Sequence, residues 1–406
     1  MSRLGVAGGR LGQTAGVTVL WWVSVVALLA WVWLAVCHGG FWRTDQRVPR
    51  GGAEPSRWPE VVAVVPARDE AGVLPLSLPS LLAQEYPGRA RVVLVDDHST
   101  DGTAELAREL AAAAPGLTLE VTTPPPLPEG WTGKLWALRH GVERAAEAGD
   151  AEWLLLTDAD IAHRPGSLRA LVAAGEAHRL DLVSQMARLR VESGWERLIV
   201  PAFVYFFAQL YPFRRSNRPG SRTAAAAGGC SLVRREALER AGGVAAIRGA
   251  VIDDVSLARA VKRSGGRTWL GLADRVDSVR PYPGLSPLWR MVSRSAYAQL
   301  RYSPLLLLGT VLGLALVYLV PPVAAVAGLL AGEWWTAAAG LAAWAVMAGT
   351  FAPMLRYYGR PVAEAPLLPF TALLYLLMTV DSAVQHWRGR GSAWKGRTYP
   401  HPQRAE

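Results

Sequence analysis

Three acidic pairs stand at places where chemistry could be gathered. The apolar stretch 153–156 ends in Thr157-Asp158-Ala159-Asp160. In extended backbone, residues two apart point to one face, so Asp158 and Asp160 would aim two carboxylates at one point. Open α/β sheets bind ligands outside the carboxyl ends of their strands. Paired carboxylates there can seat a divalent cation that holds phosphates. The competing reading is a solvated acidic loop, since so short a motif has a high false-positive rate. The stretch 91–95 ends in Asp96-Asp97-His98-Ser99-Thr100-Asp101. Asp96 and Asp97 can accept hydrogen bonds from a base or a ribose. Ser99, Thr100 and Asp101 are natural turn and helix-cap residues, the role favoured for Asp101. The third pair, Asp253-Asp254, opens a helical stretch, where acids also suit the helix dipole.

Alternating elements run from residue 60 to about 282. Strands are expected at 61–65, 91–95, 117–122 and 153–157, with helices at 74–85, 103–114 and 135–148 between them. That rhythm implies βαβ units and a mostly parallel central sheet.

The rest of the 406 residues has a different character. The chain is 51% hydrophobic, with 17 Trp, yet 19% charged, a mixture that fits neither a simple soluble enzyme nor a pure membrane bundle. The net charge is +10, nearly all from Arg, since Lys occurs only at 134, 262 and 395. No nucleic-acid motif is visible, so contact with anionic headgroups is the simplest account of the charge. Two cysteines, Cys37 and Cys230, make no disulfide framework.

Residues 17–37 are uncharged and long enough to cross a bilayer. A retained anchor is preferred to a signal peptide, because no clear cleavage site follows. The expected layout is an N-terminal tail (1–16), the anchor (17–37), an Arg-, Gly- and Pro-rich linker (38–59), the α/β domain (60–282), an interfacial segment (283–303), about three membrane helices (304–387) and a basic tail (388–406). Apolar segments at 304–330, 334–355 and 366–384 are the candidate spans, the first kinked or ended by Pro321-Pro322. Residues 198–213 read as an interfacial element, a channel wall or a buried helix. The linker arginines place the α/β domain on the cytoplasmic side of the cell inner membrane. The basic tail conflicts with three spans after such a domain.

Taken in order, these segments resemble family 2 glycosyltransferases with the GT-A fold. Val64-Val65-Pro66-Ala67-Arg68-Asp69-Glu70 is similar to the family's first strand and base-holding loop, and Val95-Asp96-Asp97-His98-Ser99-Thr100-Asp101-Gly102-Thr103 to its second nucleotide-contacting loop. Thr132-Gly133-Lys134-Leu135-Trp136-Ala137-Leu138 resembles the segment before the donor-binding helix. Thr157-Asp158-Ala159-Asp160 resembles the metal-binding motif, and Gly228-Gly229-Cys230 the acceptor loop. Ile252-Asp253-Asp254-Val255-Ser256-Leu257 is similar to the motif whose second acid is the catalytic base. The N-terminal anchor, the C-terminal spans and the Asp-Asp-Val-Ser-Leu wording resemble a hopanoid-associated membrane subgroup.

The resemblance implies an inverting transfer from a nucleotide-diphosphate sugar, a UDP-sugar ahead of a GDP-sugar, to a lipid or lipid-linked acceptor. Mg²⁺ or Mn²⁺ would be held by Asp160 with Asp158, which also faces ribose. Asp254 would be the base, its pKa raised by Asp253. Pro66, Ala67, Arg68, Glu70, Asp96, Asp97 and Lys134 would bind the nucleotide sugar, with Lys134 a point charge for phosphate or a solvated helix start. Gly228, Gly229 and Cys230 would face the acceptor, with Cys230 more a packing residue than a nucleophile. Processive members carry Gln-x-x-Arg-Trp after the base. Here the region reads Ser295-Ala296-Tyr297-Ala298-Gln299-Leu300-Arg301-Tyr302, which argues against a polymer synthase. Arg294 and Arg301 are left as diphosphate or headgroup contacts. A processive polysaccharide synthase and a non-catalytic nucleotide-sugar-binding membrane protein are the alternatives.

Overall fold

The computed structural model describes residues 5–49, 54–113, 116–147, 149, 151–390, 393–394 and 397–398, with side chains described between Thr18 and Arg390. The basic tail expected at 388–406 falls largely outside them, as does the start of the N-terminal tail. The chain forms two compact units. One comprises Asp45–Ser193, Phe213–Pro283 and Gln385–Glu406; the other comprises Met1–Thr44, Gly194–Pro212 and Gly284–Val384.

The first unit is built on an eight-stranded sheet. Its strands are β1 (Val61–Ala67), β2 (Ala90–Asp96), β3 (Thr118–Thr122), β4 (Trp153–Thr157), β5 (Ile161–His163), β6 (Leu182–Arg188), β7 (Cys230–Arg234) and β8 (Thr268–Ser278), in the order β3-β2-β1-β4-β7-β6-β8-β5. The half β3-β2-β1-β4 is parallel, as expected from its βαβ rhythm. The other half corrects the expectation of a mostly parallel sheet. β7 runs antiparallel to both β4 and β6, and β5 antiparallel to β8. Parallel neighbours need a crossover connection. Between β6 and β7 the chain instead visits the other unit through Gly194–Pro212 and returns, so no βαβ geometry dictates the direction of β7.

β1 and β4 are buried along their whole length. Side chains alternate between faces, so each strand feeds two cores. Val61, Ala63, Val65 and Leu155 meet Leu78, Leu81 and Leu171 on one face. Val62, Val64, Leu154 and Leu156 meet Leu135, Leu138, Ala258 and Val261 on the other. Covering both faces explains why these strands read as unbroken apolar runs.

The second unit holds four helices long and apolar enough to cross a membrane: Thr18–Cys37, Pro304–Ala331, Trp334–Tyr357 and Val362–Trp387. The first is the end of a helix that starts at Gly5. The helix Gly194–Leu210 belongs to this unit, and much of it is buried, as the core-helix reading of 198–213 expects. Ile199, Val200, Ala202, Val204 and Tyr205 are fully buried, and the Tyr205 hydroxyl lies 2.7 Å from Thr350 Oγ1.

Pro321-Pro322 does not end its helix, which runs from Pro304 to Ala331. The preceding turn, Ala315–Leu319, widens into a π-turn, a common relief for proline. Pro321 has no N–H to give the carbonyl of Val317. The indole of the buried Trp31 donates to that carbonyl at 2.6 Å.

Gly328 and Gly340 let the helices Val320–Ala331 and Trp334–Tyr357 approach closely. A Cβ on Gly340 would lie 2.5 Å from the Ala325 nitrogen and 2.7 Å from the Pro321 oxygen. Backbone cannot yield as a side chain can, and small residues permit such contacts between apolar helices. Gly340→Leu is expected to cost about 3 kcal/mol, read as a lower melting temperature of the detergent-purified protein. An unchanged melting temperature would contradict this packing.

Candidate active site

The loops after β1 and β2 are tied to one another. The Asp97 amide donates to the Ala67 carbonyl (2.8 Å) and the Asp69 amide to Ser99 Oγ (2.9 Å). The Glu70 amide donates to Thr103 Oγ1 (2.8 Å) and the Thr100 amide to Asp69 Oδ1 (2.9 Å). Asp69 and His98 both adopt left-handed φ, 51° and 55°, tolerated best by short polar residues and histidine. Asp101 Oδ1 accepts from the Thr103 amide at 3.1 Å, the cap role favoured for it from sequence. Arg68 donates to the Asp97 carbonyl and approaches its carboxylate at 3.7 Å. Pro66 and Ala67 close β1 opposite Val95 and Asp96. Asp96 is buried. Its Oδ2 accepts from the Ser99 amide at 3.3 Å, while its Oδ1 has no partner among the described residues. A buried acceptor left open is costly and suits a donor from a bound molecule.

A second cluster gathers at the end of β4. Lys134, in the first turn of the helix Gly133–Glu147, places Nζ 2.9 Å from Asp158 and 3.0 Å from Asp253. Asp253 and Asp254 open the helix Asp253–Arg263. Asp254 Oδ2 accepts from the Gly228 amide (2.9 Å) and Oδ1 from the Val255 amide (2.7 Å). The 228–229 loop is fixed in turn by β4: Thr157 Oγ1 donates to the Gly229 carbonyl at 2.9 Å and meets His163 Nε2 at 3.0 Å. The antiparallel pairing of Thr157 with Cys230 continues that seam. Cys230 is fully buried, and burial, then Asp158, pushes its thiol up to about 12. It stays protonated and packs.

The Asp158–Asp160 pair departs from the expected geometry. The chain turns after Thr157, with the Ile161 amide donating to the Asp158 carbonyl at 3.2 Å, so the two side chains follow a turn and not an extended strand. Asp158 faces Lys134, whereas Asp160 accepts from Arg280 Nε at 3.0 Å and from Ser278 Oγ at 3.2 Å. Arg280 Nη2 reaches both carboxylate oxygens of Glu70, at 2.9 and 2.7 Å.

Charges in the cluster are strongly perturbed. Burial pushes Asp254 up to about 7, with Asp253 adding to the rise and the Val255 amide, Lys134 and the Gly228 amide opposing it. Burial also raises Asp158, against the pull of Lys134. Lys134 and Arg280 are both held above their ordinary range: burial works against each charge, and carboxylates outweigh it, Asp158 and Asp253 for Lys134, Asp160 and Glu70 for Arg280.

Among the described residues no group of three or more His, Cys, Asp or Glu side chains is placed to hold a metal ion by itself. The donor chemistry still fits a hard divalent cation. The carboxylates of Glu70, Asp158, Asp160, Asp253 and Asp254 outnumber Lys134 and Arg280, and such ions keep water and phosphate in much of their shell.

Structure therefore brings Lys134, Asp158, Asp253, Asp254 and Gly228 together, and separately joins Glu70, Asp160 and Arg280. Arg280 and Ser278 were missed from sequence, although Ser278-Val279-Arg280-Pro281 is another strand-to-loop transition. Arg294 and Arg301, expected as diphosphate or headgroup contacts, belong to the unit of apolar helices.

Residues 59–297 match the model of the glycosyltransferase like family 2. No curated protein matches the chain. A mannosyltransferase from Pyrobaculum calidifontis, solved with GDP-Man and Mn²⁺, superposes with a TM-score of 0.52 at 20% identity, covering 90% of this chain and 99% of that one. Staphylococcus aureus TarS (residues 1–349, with UDP-GlcNAc) gives a TM-score of 0.38 at 14% identity, covering 86% and 98%. Glucosyl-3-phosphoglycerate synthase from Mycobacterium tuberculosis gives 0.37 at 18%, covering 59% and 80%. At these identities the first likeness speaks for a GT-A-like fold alone, and the other two are too loose to add to it. The family match spans more than half of the chain and takes in both loops, the Lys134 cluster and the Arg280 pairing, so the chain belongs to glycosyltransferase family 2 and is a glycosyltransferase.

Proposed function

We propose that this enzyme moves a single sugar from a nucleotide-diphosphate sugar to the hydroxyl of a lipid or lipid-linked acceptor, with inversion. The observation that carries the reading is the Lys134 bridge between Asp158 and Asp253, which ties the helix that Asp253 and Asp254 open to the loop after β4. A side chain with a pKa near the working pH makes an effective general base, and Asp254 is pushed up to about 7. Its two amide hydrogen bonds hold the carboxylate in place, so that it takes the acceptor proton as the new bond forms. Lys134 supplies positive charge to the departing diphosphate. Asp96, with its open Oδ1, accepts from the nucleoside, and Arg68 and Asp97 shape the same loop. A divalent cation, held by Asp158 and Asp160, would neutralise charge on the leaving diphosphate. A single displacement by the acceptor inverts the anomeric centre.

The four apolar helices motivate a membrane setting and a lipid acceptor. Their outer faces carry Trp22, Leu305, Leu330 and Trp335, all strongly exposed, and such apolar surface suits lipid. The sequence resemblance favours an acceptor of the hopanoid or a related lipid class, a UDP-sugar donor, and a catalytic unit on the cytoplasmic face of the inner membrane.

A donor panel tests the donor half of this reading. Ligands that bind the folded state stabilise it by mass action. The full-length protein with Mn²⁺ should show a raised melting temperature with UDP-sugars and a smaller rise with GDP-sugars. No shift with any nucleotide sugar would sink the proposal, and a larger shift with GDP-sugars would reverse the donor assignment.

A further inference from the structure

Arg280 is the only described arginine paired with Asp160 among the ion pairs, and it spans two acids from different loops. Its Nε faces Asp160 Oδ2 at 3.0 Å, and its Nη2 is shared between both oxygens of Glu70. The planar fork suits this bridge, since its donors are fixed in direction. Both acids are largely withdrawn from solvent, with side-chain exposures of 8% for Glu70 and 14% for Asp160. Charge pairs so placed are weakly screened. Arg280 itself is more open, at 28%, and follows directly on β8.

We propose that Arg280 competes with the divalent cation for Asp160, and that the nucleotide diphosphate resolves the competition. The inference rests on the reading of Asp160 as a metal ligand. The guanidinium donates to Asp160 Oδ2 at 3.0 Å, so its charge lies against the carboxylate that a divalent ion would use, and the two cations repel one another there. A metal ion arriving alone must displace Arg280 and leave its positive charge beside the incoming ion. A metal arriving with a diphosphate brings oxygens to which the same fork can turn, because arginine matches phosphate as well as carboxylate. Glu70 keeps one end of the guanidinium anchored, so the displacement is a short swing about that anchor. Metal and nucleotide then bind with positive coupling, and each raises the affinity of the other by the same factor. The metal-free enzyme carries an internal counter-ion at Asp160 and draws on the cation chiefly when donor is present.

The opposite role is a fixed strut: Arg280 would hold Asp160 in position for the metal. The two roles predict opposite signs for metal bound alone. Mn²⁺ binding to the full-length protein, followed by electron paramagnetic resonance, separates them without any turnover. In Arg280→Gln, Mn²⁺ alone should bind about 5- to 10-fold more tightly, the scale of losing one partly exposed ion-pair competitor. Mn²⁺ with UDP or GDP should bind more weakly than in wild type. Unchanged or weaker binding of Mn²⁺ alone overturns the proposal. If Arg280→Gln does not fold, Arg280→Lys keeps the charge but not the fork, and about a threefold gain for Mn²⁺ alone is expected, with no gain again overturning it. Wild type that binds Mn²⁺ with neither nucleotide would overturn the donor reading itself. Wild type that binds them, with a variant that binds Mn²⁺ alone no better, overturns only the role of Arg280.

Discussion

Asp254→Asn lowers kcat by about 10²- to 10⁴-fold, the usual contribution of a positioned general base, and leaves the affinity for donor within a few-fold of wild type. The two side chains are nearly isosteric. Lys134 keeps its pairs with Asp158 and Asp253, because neither is touched. The cost to the fold is small: an amide meets the amides of Gly228 and Val255 with one acceptor in place of two, a loss of about 1 kcal/mol, offset by removing a charge beside Asp253. Single-turnover transfer and donor binding, measured on the same preparation, check it. Full activity in Asp254→Asn would move the base elsewhere.

The same residue sets a pH limb. Asp254 is pushed up to about 7 from the ordinary carboxylate range. Only the ionised form accepts a proton, so log kcat/KM should climb with pH up to about 7 and level off above it. The sign for stability is the reverse. A carboxyl whose folded pKa is raised favours the folded state most at low pH, and this contribution is lost as pH rises from the unfolded value through about 7.

Asp160→Ala is the second large effect. It removes the carboxylate that Arg280 and Ser278 hold, while the Val279 amide still donates to the Asp160 backbone carbonyl, so the local chain path survives. Loss of a metal-holding ligand forfeits several kcal/mol of transition-state stabilisation, or about 10²- to 10⁴-fold in kcat/KM. Mn²⁺ binding should fall with it. Retention of both Mn²⁺ binding and activity would exclude Asp160 from the metal seat. Arg280→Gln is expected to shift binding of Mn²⁺ alone in the other direction, so the pair of variants separates a ligand from its competitor.

β1 and β4 of the parallel half were legible because strands buried on both faces show as apolar runs. The strand expected at 153–157 is observed as Trp153–Thr157, and that at 61–65 extends to Ala67. β7 was not legible. Cys230-Ser231-Leu232-Val233-Arg234 is short and mixed, and its direction follows from a chain path through Gly194–Pro212 that no local pattern encodes. Asp158 and Asp160 were found by their position after a buried strand, but their divergence was not. Ala159 carries no turn signal, and the turn is held by tertiary contacts from Gly229, Ser278 and Arg280. Lys134 and Asp253 lie far apart in sequence, and only the fold shows that they form an ion pair. Arg280 lacked a motif of its own, and its role depends on two acids brought from separate loops.

The proposed reaction adds one sugar to a lipid. Full-length protein is incubated with a membrane lipid extract, Mn²⁺ and the nucleotide sugar identified by the donor panel, and the lipid fraction is analysed by mass spectrometry. A lipid heavier by one sugar residue should form with wild type, be suppressed by chelator and be absent with Asp254→Asn. A long polymer, or transfer only to water-soluble acceptors with Asp254→Asn as active as wild type, would contradict it.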